Sequence, residues 1–257
     1  MRELTLHERI RNADASQQVE NVKAKHAYLH GRADATGEWS VIWSRSENCS
    51  WAHAFGRMRG FDQVYHGSVG DYDKMCMENW LDLYEVYPEV TGKDPRPLME
   101  CSVHTLVTDV IEVAADGKSA RGCFITPGVI HSRLTADKGP DGKVHRSPKY
   151  CHVLWERYGS DFVCEDGEWK YLHEHVCPDL VGDMDHTNWA ADEYERITSP
   201  NPGEAMPPTL GCPPVADPGP MHMPYSVLSA PQDSVPWPKP YETLDNDNTY
   251  TPFLEQK

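Results

Sequence analysis

Histidine can give or take a proton near neutral pH, because its unperturbed pKa is about 6.5. The chain carries 13 histidines, and several fall where a regular element would aim them inward. His26 sits in the middle of a helical stripe. At about 100° per residue, Ala15, Val19, Val22, His26, Leu29 and Ala33 share one face, with His30 on its edge and Tyr28 opposite. His104 enters a stretch of period two, in which Val103, Thr105, Val107, Asp109, Ile111 and Val113 alternate with His104, Leu106, Thr108, Val110 and Glu112. A third group, His173 and His175, alternates on one strand face with Trp169, Tyr171 and Cys177. An imidazole on an apolar face costs desolvation unless a partner or a pocket receives it. The helix stripe and the His104 strand face are expected to look at each other, so His26 and His104 are read as an acid–base pair. His173 is a further catalytic candidate, and His175 a substrate contact.

Other side chains complete a candidate proton-transfer site. Arg57, in Phe55-Gly56-Arg57-Met58-Arg59-Gly60, could hold an oxyanion, a phenolate or a carboxylate; the bland alternative is a surface ion pair. Asp34 is a candidate base. Tyr65 and Tyr158 could donate to a substrate oxygen. Trp51, Phe55, Leu106, Trp155 and Tyr171 are candidate walls, with core packing as the ordinary reading of each. Asp109 lies on the strand face opposite His104, which makes it structural unless a bulge intervenes. His173-Glu174-His175 raises metal ligation, but no carboxylate at metal-site spacing supports it. No metal and no cofactor is expected.

These residues need elements to position them. A helix is expected over 10–31, capped by Asp14 with Gln17, and a short helix over 37–45. A strand over 49–55 is broken by 56–60, and an amphipathic helix covers 71–87. A hairpin follows, turning at Ala115-Asp116-Gly117-Lys118 and returning over 120–126 until Pro127-Gly128 stops it. Residues 134–148 read as an exposed loop. A last hairpin runs 149–164 and 169–177 about Glu165-Asp166-Gly167. Helices followed by antiparallel strands predict an α+β fold. Its curved antiparallel sheet packs on the N-terminal helices and encloses a cone, a natural pocket. From 188 onward the composition changes. Pro207-Pro208, Pro213-Pro214 and Pro236-Trp237-Pro238 appear beside Met221, Tyr225, Tyr241, Tyr250 and Phe253. That is proline-rich, yet too apolar for a free linker. It is expected to be an extended C-terminal arm lying along the domain or a neighbouring subunit. The chain thus divides into a domain over 1–187 and an arm over 188–257.

Composition narrows the function class. The net charge is −16 with no basic block, which argues against nucleic acid and against an anionic membrane surface. No run approaches the ~18 apolar residues of a membrane helix, and the first residues lack the apolar core of a secretory signal. The 8 cysteines are scattered without a C-x-x-C pair, so free thiols and a cytoplasmic location are expected.

Three segments in this order, VENVKAKHAYLHG, HTLVTDVIEVAADGKSARGCFITPG and WERYGSDFVCEDGEWKYLHEH, resemble the SnoaL-like group of the nuclear transport factor 2-like superfamily. The resemblance covers about residues 8–180 and leaves the arm outside. It implies a cone-shaped α+β barrel and cofactor-free proton transfer on a hydrophobic, ring-containing substrate. Against the bile-acid dehydratase type within this superfamily, the sheet histidine matches His104 and the first-helix tyrosine position matches His26. The carboxylate positions fall on Gly31 and near Gly128, and the late arginine near Pro178, so those partners are missing. The expected function is therefore a cofactor-independent lyase or dehydratase acting on an aromatic or polycyclic alcohol. A lignin-derived phenolic dimer reacting through a quinone methide is the specific candidate, and a role in aromatic compound catabolism goes with it. The alternatives are an isomerase or polyketide-cyclase-like enzyme, and a non-catalytic small-molecule binder. A homo-oligomer, dimer or trimer, with the arm at an interface is also expected.

Overall fold

The structure is a computed structural model that describes residues 2–31, 41–53, 56–65, 84–93, 100–132, 136–146, 151–183, 217–218 and 235–251. The expected helices over 37–40 and 71–83, most of the arm, and the site candidates Asp34 and Phe55 lie outside these residues.

The first helix, α1, runs Leu6–Gly31, starting four residues before the sequence-based boundary. The reason is a capping box more than two turns before Asp14. The Thr5 hydroxyl oxygen accepts from the Glu8 N–H (3.3 Å), and the Glu8 carboxylate accepts from the Thr5 N–H (2.8 Å). Asp14 instead sits inside the helix and accepts from Gln18 one turn on. Ala15, Val19 and Val22 are buried as the stripe requires, and so is His26.

The strands are β1 (Ser50–His53), β2 (Gly56–Arg59), β3 (Glu100–His104), β4 (Val107–Val113), β5 (Ser119–Ser132), β6 (Ala136–Lys138), β7 (Val144–Arg146), β8 (Cys151–Glu165), β9 (Glu168–Asp183) and β10 (Asp217–Pro218), with a short helix α2 (Phe61–Val64) after β2. Eight of the strands form one sheet in the order β10-β2-β1-β9-β8-β5-β3, with β4 also paired to β5. β1 runs parallel to β9 and the other pairs are antiparallel. The fold is α+β, a curved sheet with α1 over one face. The sheet is open, with β10 and β3 at its edges, rather than closed into a barrel. Residues 134–148, expected to be a loop, contain the separate hairpin β6–β7.

Two departures from simple alternation decide what faces the core. The first interrupts the strand expected over 103–113 at Thr105 and Leu106. Pro127 does not stop β5; it lies opposite this gap, where its missing N–H leaves no ladder bond unmade, and its carbonyl accepts from the Thr105 hydroxyl (2.7 Å). Just beyond, the β4–β5 register shifts between Val107 and Val110, and Thr108 takes a positive φ of 54°. This bulge swings Asp109 toward α1, where its carboxylate pairs with Lys23 (3.4 Å).

The second departure is on β9. Asp161 pairs with His173 but Phe162 pairs with Tyr171, so Leu172 is the extra residue. The alternation expected from Tyr171 through His173 to His175 is broken there. Tyr171 faces the core; His173 and His175 face the other side of the sheet, and Glu174 takes the inward position. The turn between β8 and β9 is as expected, with Asp166 and Gly167 both at positive φ (52° and 85°).

The core lies between α1 and the inner sheet face. It contains Val19, Ile42, Trp43, Met58, Phe124, Phe162 and Tyr171, all nearly inaccessible to solvent. The outer face is covered at one end by residues 235–251 of this same chain. Ala115 and Asp116 donate their N–H groups to the carbonyls of Tyr241 and Glu242 (3.0 and 3.2 Å). Val235 is buried, and the Tyr250 hydroxyl donates to the Pro236 carbonyl. Gly159 is the close approach: a Cβ there would lie 2.7 Å from the Tyr250 ring and 2.9 Å from Val235. Gly159→Ala is therefore expected to cost about 1–3 kcal/mol by overpacking, read as a lower urea midpoint with an unchanged slope. At the other end the same face exposes Val103, Val107, Val129 and Trp155. Among the described residues no helix is long and apolar enough to cross a membrane, and the described cysteines 49, 123, 151, 164 and 177 are free thiols.

Candidate active site

The inner face brings polar side chains together at one place. β3 supplies His104, β8 supplies Glu156 and Tyr158, and α1 supplies His26 and His30. Gly128 sits opposite His104 on one side and Leu154 on the other, so His104, Leu154, Glu156 and Tyr158 all point inward by strand period. His104 and Glu156 are buried. His104 Nδ1 lies 3.2 Å from Glu156 Oε2 and 3.3 Å from the Tyr158 oxygen, and the Tyr158 hydroxyl donates to the same Glu156 oxygen at 2.8 Å.

This arrangement fixes protonation states. Burial alone would raise the Glu156 carboxyl. The hydrogen bond and charge of His104, the charge of His53 and the Tyr158 hydroxyl outweigh it and hold Glu156 below its ordinary value. Burial, and then the negative charges of Glu156 and Glu174, push Tyr158 well above the usual phenol range, so it stays a hydrogen-bond donor. With an ionised Glu156 accepting from Nδ1–H, Nε2 is the ring nitrogen left to exchange a proton. That atom is buried and has no hydrogen-bond partner among the described residues. A carboxylate holding one imidazole nitrogen while the other is available is the geometry of a general base with its orienting group.

The ring contacts run His26–His30–His104. His26 stacks on His30 (centroids 5.6 Å apart, 10° between planes), and His30 meets His104 edge to face (4.7 Å, 82°). The direct His26–His104 pair expected from the sequence is thus mediated by His30. His26 also packs against Tyr171 (5.6 Å), which stacks on Trp43 (5.3 Å).

The remaining candidates divide. Tyr158 and His104 meet as described. Leu106 and Tyr171 are buried in the core cluster, and Trp51 packs against it. Tyr65 packs there too, stacked on Phe61 at 6.0 Å. Arg57 is a correction. It pairs with Ala52, while the neighbouring Met58 points into the core beside Trp51, so Arg57 is on the outer face and cannot serve His104. Trp155 is corrected for the same reason. It alternates with Leu154 and Glu156, and its side chain is 47% exposed on the outer face. His173 and His175 are corrected by the bulge at Leu172. Both ring nitrogens of His173 are occupied on the far side: Nδ1 by Asp161 (2.9 Å), with the Thr249 hydroxyl beside it, and Nε2 by the Asn48 carbonyl (2.8 Å). His175 pairs with Gly159 and Ala52 on that face.

Sequence reasoning overlooked Glu156 and Glu174, both buried on the inner face. The period of β8 could have found Glu156, since Trp155 and Tyr158 have opposite parity and cannot both face inward. It also overlooked Lys23, which is buried on the α1 stripe between Glu20 (3.0 Å) and Asp109 and lies 4.8 Å above the Phe124 ring. Among the described residues no three His, Cys, Asp or Glu side chains converge as a metal site requires.

No family model matches the sequence, and no curated protein matches it. Solved structures do. A nuclear transport factor 2-like superfamily protein from Salmonella enterica serovar Typhimurium LT2 is 16% identical, over 64% of this chain and 90% of that one, with a TM-score of 0.39. An NTF2-like protein with a cystatin-like fold from Novosphingobium aromaticivorans is 15% identical, over 68% and 90%, with a TM-score of 0.39. The hexachlorocyclohexane dehydrochlorinase LinA-type3 from Novosphingobium barchaimii LL02 is 13% identical, over 70% and 95%, with a TM-score of 0.40. The reactions of those proteins are their own. The first two of these proteins are NTF2-like by name, at low identity.

Proposed function

We propose that the chain is a cofactor-independent lyase that acts by acid–base catalysis on a hydrophobic aromatic or polycyclic alcohol. The observation that carries this reading is His104: its Nδ1 is tied to a buried carboxylate, while its buried Nε2 has no partner among the described residues. A buried nitrogen without a bond costs free energy, and a substrate proton would satisfy it. Nε2 takes a proton from carbon, the C–H electron pair becomes the new double bond, and the bond to the leaving oxygen breaks. The apolar and aromatic neighbours, Leu106, Tyr171 and Trp51, favour a ring-containing substrate. A phenolic benzylic alcohol of the lignin-dimer type also suits such a set: there Nε2 would take the phenol O–H proton instead, the oxygen pair would form the quinone-methide carbonyl, and the benzylic C–O bond would break with its electrons on the leaving oxygen.

A nitrobenzisoxazole tests the base directly. Removal of its ring C–H breaks the N–O bond and forms a nitrile and a coloured phenolate. The wild-type protein is expected to open it faster than free imidazole at equal concentration, and His104→Ala is expected to lose that rate. A wild-type rate no higher than that of H104A refutes the base assignment. Incubation with phenolic diol dimers and hydroxysteroids then separates the classes. A product lighter by one water supports the lyase, and a product of unchanged mass assigns the same base to an isomerase. A raised melting temperature without turnover assigns a binding protein.

A further inference from the structure

An elimination needs an acid as well as a base, and the leaving oxygen must depart with a proton. We infer that His30 is this acid, placed by the last turn of α1 against the ring of the base. The inference rests on the lyase reading above and assigns the second half of its chemistry.

Two observations carry it. The first is position: His30 is in ring contact with His104, edge to face at 4.7 Å, and His26 stacks on His30. The second is division of labour. His104 is committed as the acceptor by Glu156 and Tyr158, which occupy Nδ1. Tyr158 donates to Glu156, which occupies the hydroxyl that would otherwise be the obvious donor to a leaving group.

The proton balance closes. His104 Nε2 gains the proton taken from carbon, the C–H pair forms the double bond, and the C–O bond breaks toward oxygen. His30 gives that oxygen its proton, so water leaves. The site then holds a protonated His104 and a neutral His30, and one proton transfer between the two adjacent rings restores the starting state without a cofactor.

Benzisoxazoles with leaving phenols of different acidity provide the test, because an acid helps a poor leaving group more than a good one. His30→Gln is expected to change the opening of the nitro compound little and to slow the unsubstituted compound by roughly 10²-fold, steepening the dependence on leaving-group acidity. An unchanged melting temperature shows that the variant is folded. A loss of equal size on both compounds gives His30 a structural role only and overturns the inference. So does no loss on either. The same steepening in His26→Gln, with none in H30Q, returns the acid role to His26. If H104A keeps the wild-type rate on every compound, the lyase reading itself fails. A lost rate in H104A with a flat response in H30Q refutes the His30 assignment alone.

Discussion

With Gln in place of Glu156, proton abstraction is expected to slow by roughly 10²–10⁴-fold, approaching the loss in H104A. The shape of the side chain is kept, so the effect lies in its charge. The Tyr158 hydroxyl and His104 Nδ1 both contact Glu156 Oε2, at 2.8 and 3.2 Å, so an amide oxygen there would keep accepting from both. The negative charge that stabilises the ring once Nε2 has taken the substrate proton would be gone. If Glu156 were only structural, E156Q would keep its rate constant per folded molecule and lose stability alone. The opening rate of nitrobenzisoxazole at saturating probe separates the two.

The same variant carries a pH signature in stability. Glu156 in the folded protein lies below the ordinary value of 4.5. As pH falls through that value the unfolded chain takes up the proton first, so the contribution of the Glu156–His104 contact is complete above it. The contribution is lost as pH falls through the folded value. Urea unfolding of wild type and E156Q should therefore diverge as pH rises through the acid range and run parallel above it. Parallel curves throughout would mean that folding does not perturb the carboxyl.

The second large effect is expected on the other face of the sheet. Asp161 is fully buried. One of its oxygens accepts from His173, from the Thr249 hydroxyl and from the Tyr250 N–H (3.0 Å), and the other from Arg121 (3.4 Å). Arg121 also lies 4.2 Å over the Tyr250 ring. Asp161→Ala leaves a buried guanidinium and a buried imidazole without their anion, which costs about 3–5 kcal/mol. Thr249→Val removes one bond from Asp161, which keeps its others, and the bond from the Thr251 N–H (3.1 Å), and should cost about 1–2 kcal/mol. Urea denaturation of both measures the ratio. A D161A loss as small as that of T249V would mean that the cluster is solvated rather than closed.

Much of this arrangement was legible in the residues. The α1 stripe gave the inward side of the helix, period two gave the face of His104 while the family resemblance set it above an ordinary core histidine, and Asp166-Gly167 placed the last turn. Part of what escaped has one physical cause. A single extra residue in a strand reverses every side chain beyond it, and hydrophobicity barely records the slip when both faces are covered. Leu172 is such a residue: His173 and His175 looked inward by counting, and Glu174 took their place. Arg57 and Trp155 were misplaced with no bulge involved, because residue type was given more weight than parity. The capping box at Thr5 and Glu8 is present in the sequence, nine residues before Asp14, which lies well inside the helix.

The covering of the outer face by residues 235–251 has a consequence for how the chain folds. Thr249 is 88 residues from Asp161, and Tyr241 is 122 from Ser119. Closing a loop of 88 residues costs about 4 kcal/mol in chain entropy before any constant is added, more than one hydrogen bond returns. No single anchor can hold the segment, so the Asp161 cluster, the Tyr241 backbone pair and Val235 must engage nearly together. Contacts this distant in sequence are made slowly. β1 to β9 all precede the covering segment in chain order, so Arg121, Asp161 and His173 are expected to meet water first and to become a dry cluster as that segment engages.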